Sequence, residues 1–231
     1  MSRILVIGSD RTVGAFASIL VDPEQATRFD PSSSDAPALD GVEFVIDLSE
    51  DDAPIAKRIE YPAEAIVFRN VLTTTATAAS AACGRPILGI AFLAGVTDQA
   101  ALLEISAPIG APGDLAGRGA AALRELSGRE VEIVEDRVAL VSARVLSMVI
   151  NEAAFALMEG VADPADIDTA MTLGTNYPEG PLAWVDRIGA DRIVAILEAL
   201  QREYGEERYR PAVLLKQHAR ARRLFHSTET N

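Results

Sequence analysis

The sequence predicts an α/β domain built on a mostly parallel sheet, followed by an all-α domain. Three observations predict it. Short apolar runs ending in turn residues alternate with helical segments over residues 1–136, the order that a parallel sheet covered on both faces requires. From Val138 onward, apolar residues recur instead at three- and four-residue steps, the period of a helix with one buried face. The 49% hydrophobic content of these 231 residues supplies enough apolar surface for packed cores. The boundary falls near Asp136, giving domains at 1–136 and 137–231.

The elements follow in order. Arg3-Ile-Leu-Val-Ile-Gly8 is an apolar run ending in glycine, the form of a buried parallel strand entering a turn. A helix is expected over 13–21, ended by Asp22-Pro23, because a residue before proline leaves the helical region. Strands are predicted at 26–29, 42–47, 65–68 and 86–92. A surface loop over 30–37 and a stretch broken by Pro54 and Pro62 separate the earlier ones, and an alanine-rich helix over 73–82 precedes the last. Two more strands, 102–106 and 131–134, flank a helix over 114–126 that Gly128 closes. In the second half, Val145, Met148, Val149, Ala153, Ala156 and Leu157 mark a long amphipathic helix. Asp163-Pro164 reads as an N-cap and first helical residue, with Gly174 as the stop. Further helices are predicted over 181–188, 191–204 and 212–224, the first two stopped by Gly189 and Gly205.

Charge narrows the function classes. With 21 basic against 34 acidic residues the net charge is −13, which opposes long-range capture of a polyanion, so no nucleic-acid partner is expected. The exception is local. Arg208, Arg210, Lys216, Arg220, Arg222 and Arg223 lie in a stretch free of acids, readable as a solvated helix face or as a holder of phosphates. No apolar run is long enough to cross a bilayer and no signal peptide is recognised, so a cytoplasmic protein without a membrane partner is expected. The single cysteine, Cys83, excludes an internal disulfide and is expected to be a small buried apolar residue. No metal site is expected. Trp184 is read as a core or interface anchor.

The second half carries a resemblance. Asn151-Glu152-Ala153, Gly160-Val-Ala-Asp-Pro-Ala-Asp-Ile-Asp168-Thr-Ala-Met171, Leu173-Gly174, Tyr177-Pro178-Glu-Gly180-Pro181-Leu182 and Ile188-Gly189 together resemble the C-terminal domain of 3-hydroxyacyl-CoA dehydrogenases. Gly180-Pro-Leu-Ala-Trp184, Tyr204-Gly205 and Arg208-Tyr-Arg-Pro211 are similar to the second half of long, duplicated 3-hydroxybutyryl- or 3-hydroxyadipyl-CoA dehydrogenases. There a reduced Rossmann-like domain precedes the helical one, and the resemblance implies the same layout here. Read by their own chemistry, these segments are caps and stiffened turns.

The resemblance implies NAD-linked oxidation of a 3-hydroxyacyl-CoA to a 3-oxoacyl-CoA by a histidine base, with a glutamate orienting it and a serine and an asparagine nearby. Gly89-Ile-Ala91-Phe92-Leu-Ala94-Gly95 corresponds to the family's Gly-x-His-Phe-Phe-Asn-Pro, which puts Ala91 at the histidine. Glu104 matches the glutamate, Thr73 the serine hydroxyl, and Ala143 replaces the asparagine. A base must sit within hydrogen-bond reach of its proton, and His218 and His226, in the last helix and tail, are not expected to substitute. A Rossmann turn uses glycines so that backbone can approach a pyrophosphate. Here Gly8-Ser-Asp10-Arg-Thr-Val-Gly14 lacks the middle glycine, although Asp30 follows Gly8 at close to the spacing of a ribose-binding acid. Gly8, Gly14 and Asp30 are the candidate cofactor residues, with NAD expected to bind weakly or not at all. Two readings follow. One is an impaired chain acting as a dimerisation or acyl-CoA-binding partner, either as a homodimer through its helical domain or beside a full-length dehydrogenase; the other is an active NAD-dependent dehydrogenase with a rearranged site.

Overall fold

The computed structural model describes residues 4–32, 37, 39–49 and 61–226. The chain divides into two compact units, Met1–Ser142 and Ala143–Asn231. The first holds a seven-stranded sheet made of β1 (Ile4–Ile7), β2 (Ala26–Phe29), β3 (Phe44–Asp47), β4 (Ile66–Asn70), β5 (Leu88–Ile90), β6 (Leu102–Ser106) and β7 (Glu130–Val134). Its order is β2-β1-β3-β4-β5-β6-β7. Every neighbouring pair is parallel except β5 with β6, so β6 and β7 run against the other five.

Helices α1 (Asp10–Ala17), α2 (Ala76–Cys83) and α3 (Leu115–Ser127) cover the sheet. Alternate strand residues sort into two cores, as the two-residue strand period demands. Ile4, Val6, Ile46, Phe68, Leu88 and Leu103 pack with Val13 and Phe16 of α1 and Leu123 of α3. Leu5, Ile7, Val45, Val67 and Ile87 pack with Ala79 of α2 and Tyr61. Cys83 is half-buried against this second core rather than enclosed by it, and partial desolvation pushes its thiol upward.

The second unit is helical: α4 (Ser142–Met158, whose first residue belongs to the sheet unit), α5 (Pro164–Thr175), α6 (Pro181–Ile188), α7 (Ala190–Tyr204) and α8 (Val213–Ala221). Leu182, Val185, Ile188, Ile193, Ile196, Leu197, Leu200 and Leu215 are buried in it. Trp184 is buried too, 5.5 Å from the Tyr177 ring.

Several element ends differ from expectation for physical reasons. Ser9 caps α1 by accepting from the Thr12 amide, so that helix starts at Asp10 and not at 13. Gly174 lies inside α5, and Asn176 at φ +56° supplies the left-handed stop, a conformation in which a short polar side chain is tolerated. Gly128 and Gly205 are stops at φ +65° and +66°. Residues 33–36 of the expected surface loop and Pro54 lie outside the described residues. Among the described residues no helix is long and apolar enough to cross a membrane.

Candidate functional site

The glycine turn read as a candidate cofactor site leaves the carboxyl end of β1. Gly8 lies at φ +155° and donates its amide to the Phe29 carbonyl at 3.1 Å; a Cβ there would touch Leu48 at 3.4 Å. Asp30 directly follows β2, so the Ile7–Phe29 pairing sets it beside Gly8 at the same sheet edge. It is exposed and accepts from the Ser32 amide at 2.8 Å, a bond that holds its carboxyl below the usual range. Gly14 falls within α1, where an added Cβ would meet nothing within 4 Å. It therefore does not serve the close helix-to-strand packing for which a dinucleotide fingerprint uses its last glycine. Ser9 already accepts the Thr12 amide, and Asp10 opens the helix. A pyrophosphate at this N-terminus would face the Asp10 charge, so the residues fit NAD poorly.

The residues that the resemblance aligns with a catalytic group lie at the ends of β4 and β5 and on β6. Asn70, at the end of β4, clamps Phe92 by accepting from its amide and donating to its carbonyl, both at 3.0 Å. That clamp fixes Ala91, the residue after β5, whose amide reaches the Glu104 carbonyl of β6 at 3.4 Å. Ala91 and Glu104 are thus brought together and buried, at 6% and 8% exposure. Thr73 stands in the turn between β4 and α2, half-buried. Ala143, the second residue of α4, is buried and is described with the helical unit.

Glu104 is not idle. Its carboxylate accepts from the Val141 amide at 3.0 Å, from the Ser142 amide at 3.1 Å and from the Ser142 hydroxyl. The bonds cap the entrance to α4, satisfying donors that a helix start leaves open. Just before them Ala139 and Leu140 lie at φ +60° and +45°, which L-residues rarely adopt. Glu104, for which the resemblance implies the orienting of a histidine, thus bonds the backbone directly after this left-handed pair.

Two further carboxylates were not singled out from sequence. Asp136 accepts from the amides of Ala76 and Thr77 at 2.7 and 2.8 Å, the Thr77 hydroxyl at 2.7 Å and the Ser106 hydroxyl at 3.0 Å. The N-terminus of α2 is thus filled by the chain's own anion. Asp47 takes Arg69 at 2.6 Å, Tyr61 at 2.9 Å and Ser49, all buried. Burial first, and then the Asp47 charge, raise the Tyr61 phenol above its ordinary value. Apart from Ser49, the partners lie 14 to 60 residues away, and only the hydrophilic residues at ends of apolar strands hint at them.

In the helical unit, Asp168 accepts from the amides of Leu182 and Ala183, both at 2.8 Å, and pairs with His226 Nε2 at 2.8 Å. Asp186 takes the amides of Phe225 and His226 at 2.7 and 2.9 Å. Asn151 donates to the Arg210 carbonyl and accepts from the Ala212 amide. The motif residues that carry the resemblance are scaffold. Arg144 stacks over Tyr204 and Tyr209 and donates to the Tyr209 hydroxyl. Of the basic stretch, Arg208, Arg210 and Lys216 pair with Glu206, Glu207 and Glu198. Among the described residues no group of three His, Cys, Asp or Glu could hold a metal ion.

Residues 140–230 match the 3-hydroxyacyl-CoA dehydrogenase C-terminal domain family. A 3-hydroxyadipyl-CoA dehydrogenase of Escherichia coli is 44% identical over 145 residues, covering 63% of this chain and 29% of the relative. A 3-hydroxybutyryl-CoA dehydrogenase of Bradyrhizobium diazoefficiens is 34% identical over 168 residues, 72% of this chain and 57% of the relative. The chain therefore spans less than two thirds of the length of these relatives. The solved (S)-3-hydroxybutyryl-CoA dehydrogenase of Ralstonia eutropha shares the fold, with a TM-score of 0.77 at 22% identity over 97% of this chain and 95% of that one.

Proposed function

Because the chain belongs to the 3-hydroxyacyl-CoA dehydrogenase family, we propose that it is a catalytically impaired member acting as a dimerisation or acyl-CoA-binding partner. One observation carries this reading. Glu104 spends its carboxylate on Val141 and Ser142 while the buried methyl group of Ala91 faces the role of the base. A positioned base contributes about 10²–10⁴-fold to proton transfer, and neither group can supply it. NAD is the family's cofactor. The Gly8 turn, with Asp10 at the helix start and Gly14 facing open space, supports weak binding or none, so no hydride step is assigned to this chain.

The purified chain with NAD and 3-hydroxybutyryl-CoA is expected to produce no NADH above background, and Ala91→His alone is expected to recover little. Steady NADH production by the unmodified chain would overturn the reading. The partner role is expected to be a homodimer through the helical domain. Val145, Met148, Val149 and Phe155 line an open groove of about 660 Å³ on α4, and Leu173 is 82% exposed; such apolar surface favours an interface. Light scattering at micromolar concentration should give twice the chain mass, and a monomer would refute the dimer.

A further inference from the structure

Helix α4 buries one face inside its own unit, through Ala143, Ser147, Ile150, Asn151 and Ala154. Its other face carries Val145, Met148, Val149, Glu152 and Phe155 along the open groove, at the spacing of one helical stripe. A helix face turned to water is normally polar. Here a single acid, Glu152, stands among four apolar side chains. We propose that two copies of the chain close groove to groove about a two-fold axis, with Glu152 of each paired to Arg210 of the partner subunit. The pairing rests on the homodimer reading and gives that dimer its register.

The groove presents both halves of such a pair and joins them to each other nowhere within the chain. Glu152 is exposed, and among the described residues its carboxylate has no hydrogen bond or ion pair. Arg210 lines the same groove, its guanidinium 5.3 Å from the ring centroid of Phe155 on the next turn after Glu152. Arg210 does have an acid of its own. Its Nε meets Glu207 at 3.3 Å, with the two side chains 54% and 87% exposed. A surface pair of that kind is worth little, and it engages only Nε, so most of the guanidinium N–H donors are left for a second carboxylate. Arg208, on the same rim, is the poorer choice, because its terminal nitrogen sits 2.6 Å from Glu206 and its guanidinium lies over Tyr209.

A two-fold interface is self-complementary: what one copy presents it also receives. A groove carrying only acids would repel its own image, and one carrying only apolar groups would fix no register. With an acid on the helix and a base at the rim, one contact forms two identical ion pairs and closes the apolar side chains of each copy against those of the other. The competing role for Glu152 is a charge that keeps an apolar face in water and opposes association. The two roles part on charge reversal, because only a pair responds to what stands at position 210.

The test is sedimentation velocity on the full chain at micromolar concentration. Glu152→Arg and Arg210→Glu, each alone, should weaken the wild-type dimer roughly tenfold or more, since each sets like charges face to face. Mixed in equal amounts, the two variants should recover a dimer holding one copy of each, every contact then being between opposite charges. A pair formed within one chain could not be mended by mixing. Glu24→Arg, a reversal of the same sign at an exposed residue of the sheet unit, should leave the dimer as it was. Where a variant fails to fold by circular dichroism, Glu152→Lys and Arg210→Asp serve as a second pair. A dimer indifferent to both reversals, or no recovery on mixing folded variants, would overturn the pairing and leave the homodimer reading standing. A wild-type monomer would overturn both, and a monomer that gains mass only beside a complete 3-hydroxybutyryl-CoA dehydrogenase would assign the groove to that chain instead.

Discussion

Glu104 in the sheet unit and Asp168 in the helical unit are both buried carboxylates that accept amides at the start of a helix. They differ in what the bonds displace. At Asp168 the cap of α6 is the residue's evident task, and the same carboxylate also ties in His226. At Glu104 the cap stands where the resemblance implies an imidazole-orienting role, and the imidazole is replaced by the Ala91 methyl group. One bonding pattern thus serves a helix start in both units, and in the sheet unit it occupies the carboxylate for which the resemblance implies another role. A retained residue type, taken alone, does not establish retained chemistry.

The sharpest way to break this comparison is to remove each carboxylate. Glu104→Ala and Asp168→Ala should each cost about 2–3 kcal/mol, because buried amides lose a charged acceptor. In denaturant unfolding followed by proteolysis, the first change should loosen the sheet unit and the second the helical unit. Glu104→Gln should cost less, since one amide oxygen still accepts. If Glu104→Ala left stability untouched, the carboxylate would be free for another role and the contrast with Asp168 would collapse.

A smaller effect probes the packing around the same corner. A Cβ on Gly89 would stand 2.4 Å from the Ser106 hydroxyl, which is bonded to Asp136, and 3.0 Å from Val71. Gly89→Ala should therefore destabilise by about 1–3 kcal/mol through overpacking. Ser106→Ala in the same chain should return part of that loss, and a double-mutant cycle on urea midpoints measures the coupling. Additive costs would show that the close approach is not the constraint.

How much of this was legible follows from the range of the forces involved. Periodicity and the glycine stops are local signals, so all seven strands and the glycine-closed ends of α3 and α7 could be read in advance. Local signals that compete were harder: Ser9 outbid the apolar pattern for the start of α1, and Asn176 took the stop assigned to Gly174. The site was less legible. Glu104 was recognisable by resemblance, but its clamp on Val141 and Ser142 joins residues 37 and 38 positions apart, and the Asp136 and Asp47 networks depend on strand order. Gly8 and Asp30 do reach one sheet edge, whereas the open space beside Gly14 has no signature in spacing.

The smallest expected effect concerns the left-handed turn directly before the backbone that Glu104 bonds. Ala139 lies at φ +60° and its amide donates to the Val71 carbonyl at 2.8 Å, so the left-handed backbone there is kept by its surroundings. No glycine marks the position, which is why the sequence suggested no turn. For an L-residue that conformation costs about 1–2 kcal/mol, which glycine avoids. Glycine also gives the unfolded chain more freedom, an opposing effect of about 0.4–1 kcal/mol. Ala139→Gly should therefore stabilise the sheet unit slightly, by about 0.5–1 kcal/mol, raising its melting midpoint by about 1–4 °C. Combined with Glu104→Ala it should soften the loss, because the turn would need less restraint from the carboxylate. A midpoint that falls on Ala139→Gly would mean that the turn is relaxed as it stands, and that Glu104 caps α4 without holding any strain.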